Sequence, residues 1–102
     1  MTPPSISHST TPDQICLKVW ITGRVQGVGY RYSTREQATA LGLVGWVRKL
    51  PDGRVEAMIQ GDRTQIERMI EWFHSGPPAA KVTAVETKEQ TQQQFQTFEI
   101  RQ

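Results

Sequence analysis

Apolar and polar residues alternate from Ile15 to Thr22, near the start of the chain. The apolar side chains that share one face of this segment are Ile15, Leu17, Val19 and Ile21. A period of two residues with β-branched content predicts a strand. Gly23, Gly27 and Gly29 then interrupt the pattern, so we expect a loop directly after the strand.

A capping pattern behind this loop predicts the first helix. Ser33 fits the N-cap and Glu36 the N3 position of a capping box, so the helix should begin directly after Arg31 and Tyr32. Gly42 is suited to the position just beyond the helix end, where a left-handed conformation is common.

The middle of the chain predicts a hairpin and a second helix. Strands at 43–50 and 54–60 flank the turn residues Pro51-Asp52-Gly53. Asp62 can cap the helix that follows, with Gln65 at N3, and Gly76-Pro77-Pro78 should end it. The helix has an apolar stripe at i, i+3, i+4 and i+7, formed by Ile66, Met69, Ile70 and Phe73.

The order of these elements predicts the fold class. With further strands at 81–88 and 95–101, the chain reads β-α-β-β-α-β plus a fifth strand. Two helices on one face of a mainly antiparallel sheet form the α+β, ferredoxin-like α/β sandwich. Residues 1–13 offer little to bury, so we predict a flexible tail there and one domain over residues 14–102.

Composition narrows the function classes. The chain has 102 residues and a net charge of only +2, which is weak support for nucleic-acid binding. No segment approaches the length of a membrane span, and the start lacks a secretory pattern, so we expect a cytoplasmic monomer that binds neither membrane nor nucleic acid. The single cysteine, Cys16, lies in an apolar run and is interpreted as a buried, inert thiol.

The segment Gly23–Arg31 carries the candidate chemistry. Its glycines allow successive N–H groups to converge, the start of a helix adds free N–H groups, and Arg31 offers a planar fork for phosphate oxygens. It matches neither a dinucleotide loop nor a Walker loop. On shape alone, a plain strand-to-helix turn explains the glycines equally well. The candidate anion-binding residues are Arg24, Val25, Gln26, Gly27, Val28, Gly29, Tyr30 and Arg31.

A family resemblance adds to this interpretation. Gly23–Arg31 resembles the first signature of the acylphosphatases, and Gly42–Glu56 resembles the second at all but one important position. Gly76–Val82 is similar to the family's segment between the second helix and the fourth strand. The resemblance extends from about Ile15 to Arg101, nearly the whole domain.

The resemblance implies a hydrolase that uses no metal, no cofactor and no phosphoenzyme. Its small-molecule substrates would be acyl phosphates, such as acetyl or carbamoyl phosphate. The loop amides and Arg31 would bind the phosphoryl group, and an asparagine on the second strand would position the attacking water.

One residue departs from the family pattern. The water-positioning asparagine aligns with Lys49, a candidate catalytic residue. A charged ammonium has three donors and no acceptor, so it cannot accept a hydrogen bond from water, although it can bind phosphate as a point charge. We therefore expect reduced rather than lost activity. Two alternatives stay open: Lys49 is a solvated surface residue, or a one-residue register change brings another group into place.

Two other functions compete with hydrolysis. A phosphate-binding module that has lost hydrolysis is supported by Lys49 alone. An RNA-binding sheet would need stacking aromatics on its central strands, and Trp20, Met58 and Glu56 match that requirement poorly.

Overall fold

The computed structural model describes residues 14–102, and each predicted strand and helix is present in it. The elements, in chain order, are β1 (Gln14–Arg24), α1 (Tyr30–Ala40), β2 (Val44–Lys49), β3 (Val55–Asp62), α2 (Arg63–Ser75), β4 (Lys81–Gln90) and β5 (Phe98–Ile100). The predicted flexible tail, residues 1–13, lies outside the described residues.

The five strands form one sheet in the order β4-β1-β3-β2-β5. All neighbours are antiparallel except β2 and β5, which run parallel. Helix α1 packs on β2 and β5, whereas α2 packs on β4, β3 and β1. The ferredoxin-like sandwich is therefore confirmed, and α1 lies over the half of the sheet that contains the end of β2.

The main core lies between the sheet and the helices. The strand residues that face the helices are fully buried: Val19, Ile21, Val47, Val55, Ala57 and Ile59. The predicted stripe of α2 meets them, with Ile66, Met69 and Phe73 buried and Ile70 packed at the margin. Burial of each Val, Ile, Met or Phe side chain in this core stabilises the fold by about 1.5–3 kcal/mol.

A smaller apolar cluster covers the opposite face of the sheet. It consists of Cys16, Trp46 and Met58, with Phe95 packed against them. Burial raises the pKa of the Cys16 thiol, which keeps it protonated, as expected of an inert cysteine. The predicted fifth strand, 95–101, is longer than the observed one. Phe95 packs against this cluster, and only Phe98–Ile100 pair with β2.

The predicted start of α1 is wrong by about one turn. The helix begins at Tyr30, and Gly29 occupies the N-cap position in the left-handed conformation. Ser33 already lies inside the first turn, where its N–H donates to the Gly29 carbonyl at 2.9 Å. A glycine can turn the chain into the helix without a capping side chain, so the capping box at Ser33 and Glu36 is not used.

The other helix ends agree better with the predictions. Gly42 has a φ of +73°, and the N–H groups of Gly42 and Leu43 bond to carbonyls of the last turn, as in a Schellman motif. Gly76 ends α2 as predicted. Asp62 does occupy the N-cap of α2, but its carboxylate forms no capping hydrogen bond.

Tyr30, the first residue of α1, is anchored to the end of α2. Its hydroxyl donates to the Phe73 carbonyl at 2.7 Å, and its ring packs against Trp72 and Phe73. The Phe73 carbonyl belongs to the last turn of α2, where carbonyls lack a partner within the helix. Gly76 leaves room for the ring, because a Cβ there would approach Tyr30 Cε2 to 2.5 Å. The end of α2 thus determines where α1 begins.

Replacing Tyr30 by Phe should destabilise the protein by about 1–3 kcal/mol, because a buried carbonyl loses its donor. Urea unfolding at neutral pH measures this difference. Tyr32→Phe is the matched control, since the Tyr32 side chain is 58% exposed and its change should stay within about 0.5 kcal/mol. Equal stability of the two variants would contradict the anchoring role.

The same anchor should make stability depend on alkaline pH. Burial raises the pKa of Tyr30 well above the value of about 10 of a free tyrosine. Above pH ~10 the unfolded chain therefore loses this proton while the folded chain keeps it, so the free energy of unfolding falls as pH rises. We expect a smaller fall in Tyr30→Phe, measured by urea unfolding between pH 8 and pH 11.

Candidate active site

The loop between β1 and α1 spans residues 25–29 and has alternating backbone conformations. Gly27 and Gly29 have φ of +74° and +77°, whereas no residue other than glycine in the described range has a positive φ. Such alternation is typical of the concave nests of N–H groups that bind anions in proteins. A Cβ added at Gly27 or Gly29 would meet nothing within 4 Å, so glycine is needed for its φ rather than for space.

The start of α1 places three further N–H groups next to this loop. The first bond within the helix runs from Ser33 to Gly29, so the N–H groups of Tyr30, Arg31 and Tyr32 have no carbonyl partner in the helix. No side chain caps this end, and the first turn has no acidic residue. The positive end of the helix dipole is therefore free to act on an anion.

A cavity of about 240 Å³ lies at this junction. It is lined by Val25, Gly27, Gly29, Tyr30, Arg31, Tyr32 and Ile100, and we call it the loop cavity. Arg31 is half-buried at its wall and forms no ion pair with any other described residue. Its guanidinium is thus available to a ligand. The backbone N–H groups beside it also carry a partial positive charge, so both favour an anion.

Three of the predicted loop residues direct their side chains elsewhere. Arg24 is exposed and lines a separate cavity of about 250 Å³ together with Lys81. Gln26 donates from Nε2 to the Leu50 carbonyl at 3.4 Å, and Val28 packs against the main core. These residues can therefore offer the loop cavity only their main chain.

Tyr30 lines the loop cavity, but its hydroxyl is already used. Burial raises its pKa, so it remains a protonated donor to Phe73 at neutral pH. The side chain is therefore a support beneath the loop.

Lys49 lies beside the loop cavity rather than in its wall. It is the last residue of β2, exposed, and two residues beyond the buried Val47, which places it on the helix-facing side of the sheet. It lines a neighbouring cavity of about 370 Å³ together with Arg48, Leu50, Pro51 and Gln102, which we call the Lys49 cavity. The bond from Gln26 to Leu50 joins the loop to the wall of this second cavity.

Two residues of the loop cavity were not predicted from the sequence. Tyr32 is contiguous with the motif and could have been found by extending the helix start backwards. Ile100 lies almost seventy positions further along the chain and reaches the loop only because β5 pairs with β2, where Val47 and Ile100 are partners. No local pattern signals that pairing.

Residues 14–102 contain neither a cluster of metal-ligating side chains nor a membrane-spanning helix. No three His, Cys, Asp or Glu side chains of this range lie together in a way that could hold a metal ion. Neither of its helices has the length and apolar content needed to cross a bilayer.

Comparison with known sequences gives consistent matches. The sequence model of the acylphosphatase family matches residues 17–100. An acylphosphatase from Acaryochloris marina is 63% identical over 89 residues, which cover 87% of this chain and 96% of the relative. One from Trichormus variabilis is 50% identical over 95 residues, covering 92% and 94% of the two chains.

Solved structures agree with the sequence matches. An acylphosphatase from Coxiella burnetii superposes with a TM-score of 0.88 at 36% identity, covering 93% of this chain and all of the other. The acylphosphatase from Bacillus subtilis gives a TM-score of 0.84 at 32% identity, with 86% and 99% covered. Sequence and fold therefore agree over nearly all of the described residues.

Replacing Gly29 by Ala should cost about 1–2 kcal/mol, because a Cβ is disfavoured at a φ of +77° although space is open around it. Gly29→Asn should cost less, since asparagine tolerates the left-handed region. Thermal unfolding with and without inorganic phosphate measures both the strain and the loss of anion binding. If Ala and Asn were equally harmless, the left-handed turn would not be required.

Proposed function

The chain belongs to the acylphosphatase family, and we propose that it hydrolyses acyl phosphates with the phosphoryl group held in the loop cavity. One observation carries this assignment of the site. The half-buried guanidinium of Arg31, which pairs with no acidic residue from 14 to 102, lies in the same cavity wall as the alternating glycines and the uncapped start of α1. All three features favour a multiply charged anion.

The chemistry demands little beyond these groups. Water attacks phosphorus, the bond between phosphorus and the acyl oxygen breaks, and the products are a carboxylate, inorganic phosphate and one released proton. A carboxylate is a good leaving group, so catalysis needs mainly charge stabilisation on the phosphoryl oxygens and an aligned water. The N–H groups at the start of α1 and the fork of Arg31 would stabilise that charge.

Lys49 is proposed as the residue that limits the reaction. Its ammonium can donate to water but cannot accept from it, and donation lowers the nucleophilicity of the water oxygen. Its place at the end of β2, beside the loop cavity, supports an influence on the attacking water or on the phosphoryl charge. We therefore propose that turnover is slower than the loop alone would permit.

The central experiment is steady-state hydrolysis of benzoyl phosphate by the purified protein, with a chelator present. Hydrolysis that the chelator leaves unchanged supports a metal-independent acylphosphatase. Absence of hydrolysis, with inorganic phosphate still bound, would instead support a phosphate-binding module.

We also propose that the protein acts as a monomer in the cytoplasm. Among the described residues, Tyr32 alone is a large apolar side chain with high exposure, so little apolar surface there favours self-association. The chain has a single cysteine and therefore no intrachain disulfide that would suit an oxidising compartment.

Replacing Arg31 by Ala should lower kcat/KM for benzoyl phosphate by on the order of a hundred- to thousandfold, because the transition state loses a charge-assisted contact. Arg31→Lys should recover little of this loss, since an ammonium lacks the planar fork. Arg68→Ala on the exposed side of α2 is the control for net charge. Near-normal hydrolysis by Arg31→Ala would show that the phosphoryl group binds elsewhere.

Replacing Lys49 by Asn should raise kcat for benzoyl phosphate by about one to three powers of ten, because a carboxamide can accept from the water. The affinity for inorganic phosphate should stay similar or weaken, because the substitution removes the positive charge of Lys49. Stability should change little at this exposed position, whereas Lys88→Asn on β4 should leave kcat unchanged. If the wild type and Lys49→Asn had the same high kcat, another residue would already position the water.

A further inference from the structure

Two cations lie together where β1 meets β4, outside the loop cavity. Arg24 and Lys81 line the cavity of about 250 Å³ at this junction, which we call the edge cavity. We propose that the edge cavity is a second oxyanion site, which takes a dianion of the phosphate class. The inference goes beyond the proposed function, because it does not require hydrolysis in the loop cavity.

The edge cavity is distinct from the loop cavity. Arg24 lines the edge cavity, whereas the next residue, Val25, lines the loop cavity. Val25 is buried in the main core, and Arg24 is exposed. Consecutive residues at the end of a strand point to opposite sides of the backbone. An anion can therefore bind at Arg24 while another occupies the loop cavity.

The backbone holds the two cations directly opposite each other. The pairing of β1 with β4 shifts in register between Thr22 and Gly23, and beyond this bulge Arg24 and Lys81 are partners. Gly23 permits the close approach, since it has a φ of +135° and a Cβ there would overlap the Lys81 carbonyl oxygen. Like charges directly opposite in antiparallel strands are destabilising. An anion bound between them would remove this repulsion.

No acidic residue compensates the pair within the described range. Neither Arg24 nor Lys81 forms an ion pair with any residue from 14 to 102, and no Asp or Glu of this range lines the edge cavity. By contrast, the guanidinium groups of Arg48 and Arg54 each contact a carboxylate, at 2.7 and 2.8 Å. A planar fork and an ammonium on one wall favour a multiply charged oxyanion.

The rest of the wall is held in place before any anion binds. It consists of Pro78, Ala79 and Ala80, whose small side chains bring no charge. The Ala80 N–H donates to the Pro77 carbonyl at 3.0 Å, and the Ala80 side chain packs against the main core. Proline fixes its own φ, so little order is lost on binding. The cavity is several times the roughly 30 Å³ of a water molecule, which leaves room for a phosphate group.

The test measures melting temperatures at about pH 8, in inorganic phosphate and in sodium chloride of equal ionic strength. In dilute chloride, Lys81→Gln should melt about 1–3 °C above the wild type, because the repulsion from Arg24 is removed. In phosphate this order should reverse, because the wild type gains about 2–5 °C more than the variant. Arg24→Gln should behave in the same way.

Lys88→Gln is the matched control. Lys88 is exposed on β4 and lies directly opposite Lys18 of β1, so its loss also relieves a like-charge contact, but neither residue lines the edge cavity. This variant should keep the full gain from phosphate. Equal gains in the wild type, Arg24→Gln and Lys81→Gln would overturn the inference. So would an equal loss of the gain in Lys88→Gln, since phosphate would then act only through net charge.

Two further comparisons complete the test. Phosphate in the loop cavity adds to the gain of every variant, so the difference between wild type and Lys81→Gln should persist when both carry Arg31→Ala; its disappearance would place the effect in the loop cavity and overturn the inference. Failure of hydrolysis would leave this difference unchanged. A series with glycerol 3-phosphate identifies the ligand: an equal gain indicates a phosphate monoester, and a gain with inorganic phosphate alone indicates the free ion.

Discussion

The hydrogen bond from the Tyr30 hydroxyl to the Phe73 carbonyl is the constraint on which the site depends. It satisfies a carbonyl in the last turn of α2 and holds the first residue of α1 in the core. Gly76 lets the ring approach so closely, and the Thr34 hydroxyl bonds back to the Tyr30 carbonyl at 2.7 Å. With the start of α1 held in this way, the free N–H groups and Arg31 acquire a definite position relative to the loop.

In the candidate site, the backbone determines the shape of the loop and side chains supply the charge. Gly27 and Gly29 give the loop its left-handed turns, and Arg31 brings a guanidinium to the wall of the same cavity. Across the sheet, Glu56 is buried and accepts from Trp20 and Arg48, which ties β1, β3 and β2 together behind the Lys49 end of the hairpin. A charge-assisted network of this kind orders the strand end that carries Lys49.

The correct predictions came from patterns with a strict spacing. The two-residue alternation in β1 and the stripe of Ile66, Met69 and Phe73 in α2 both lie on the core side, because burial selects apolar residues at the period of the element. The predicted start of α1 is wrong because two N-caps compete, Ser33 with its capping box and Gly29 in a left-handed conformation. The burial of Tyr30 favours the earlier start at Gly29. A capping side chain is worth about 1 kcal/mol, less than the burial of an aromatic ring.

The sequence by itself determined the order of the elements, the glycine-rich loop with Arg31 at its end, and a lysine at the end of the second strand. These are local properties, since period, φ preference and charge belong to residues close together in the chain. Only the tertiary structure decided that Ile100 lines the loop cavity, that the Tyr30 hydroxyl bonds to α2, and that Lys49 lines a separate cavity. Those facts depend on contacts between distant segments, which form only when the sheet order and both helix positions are established together.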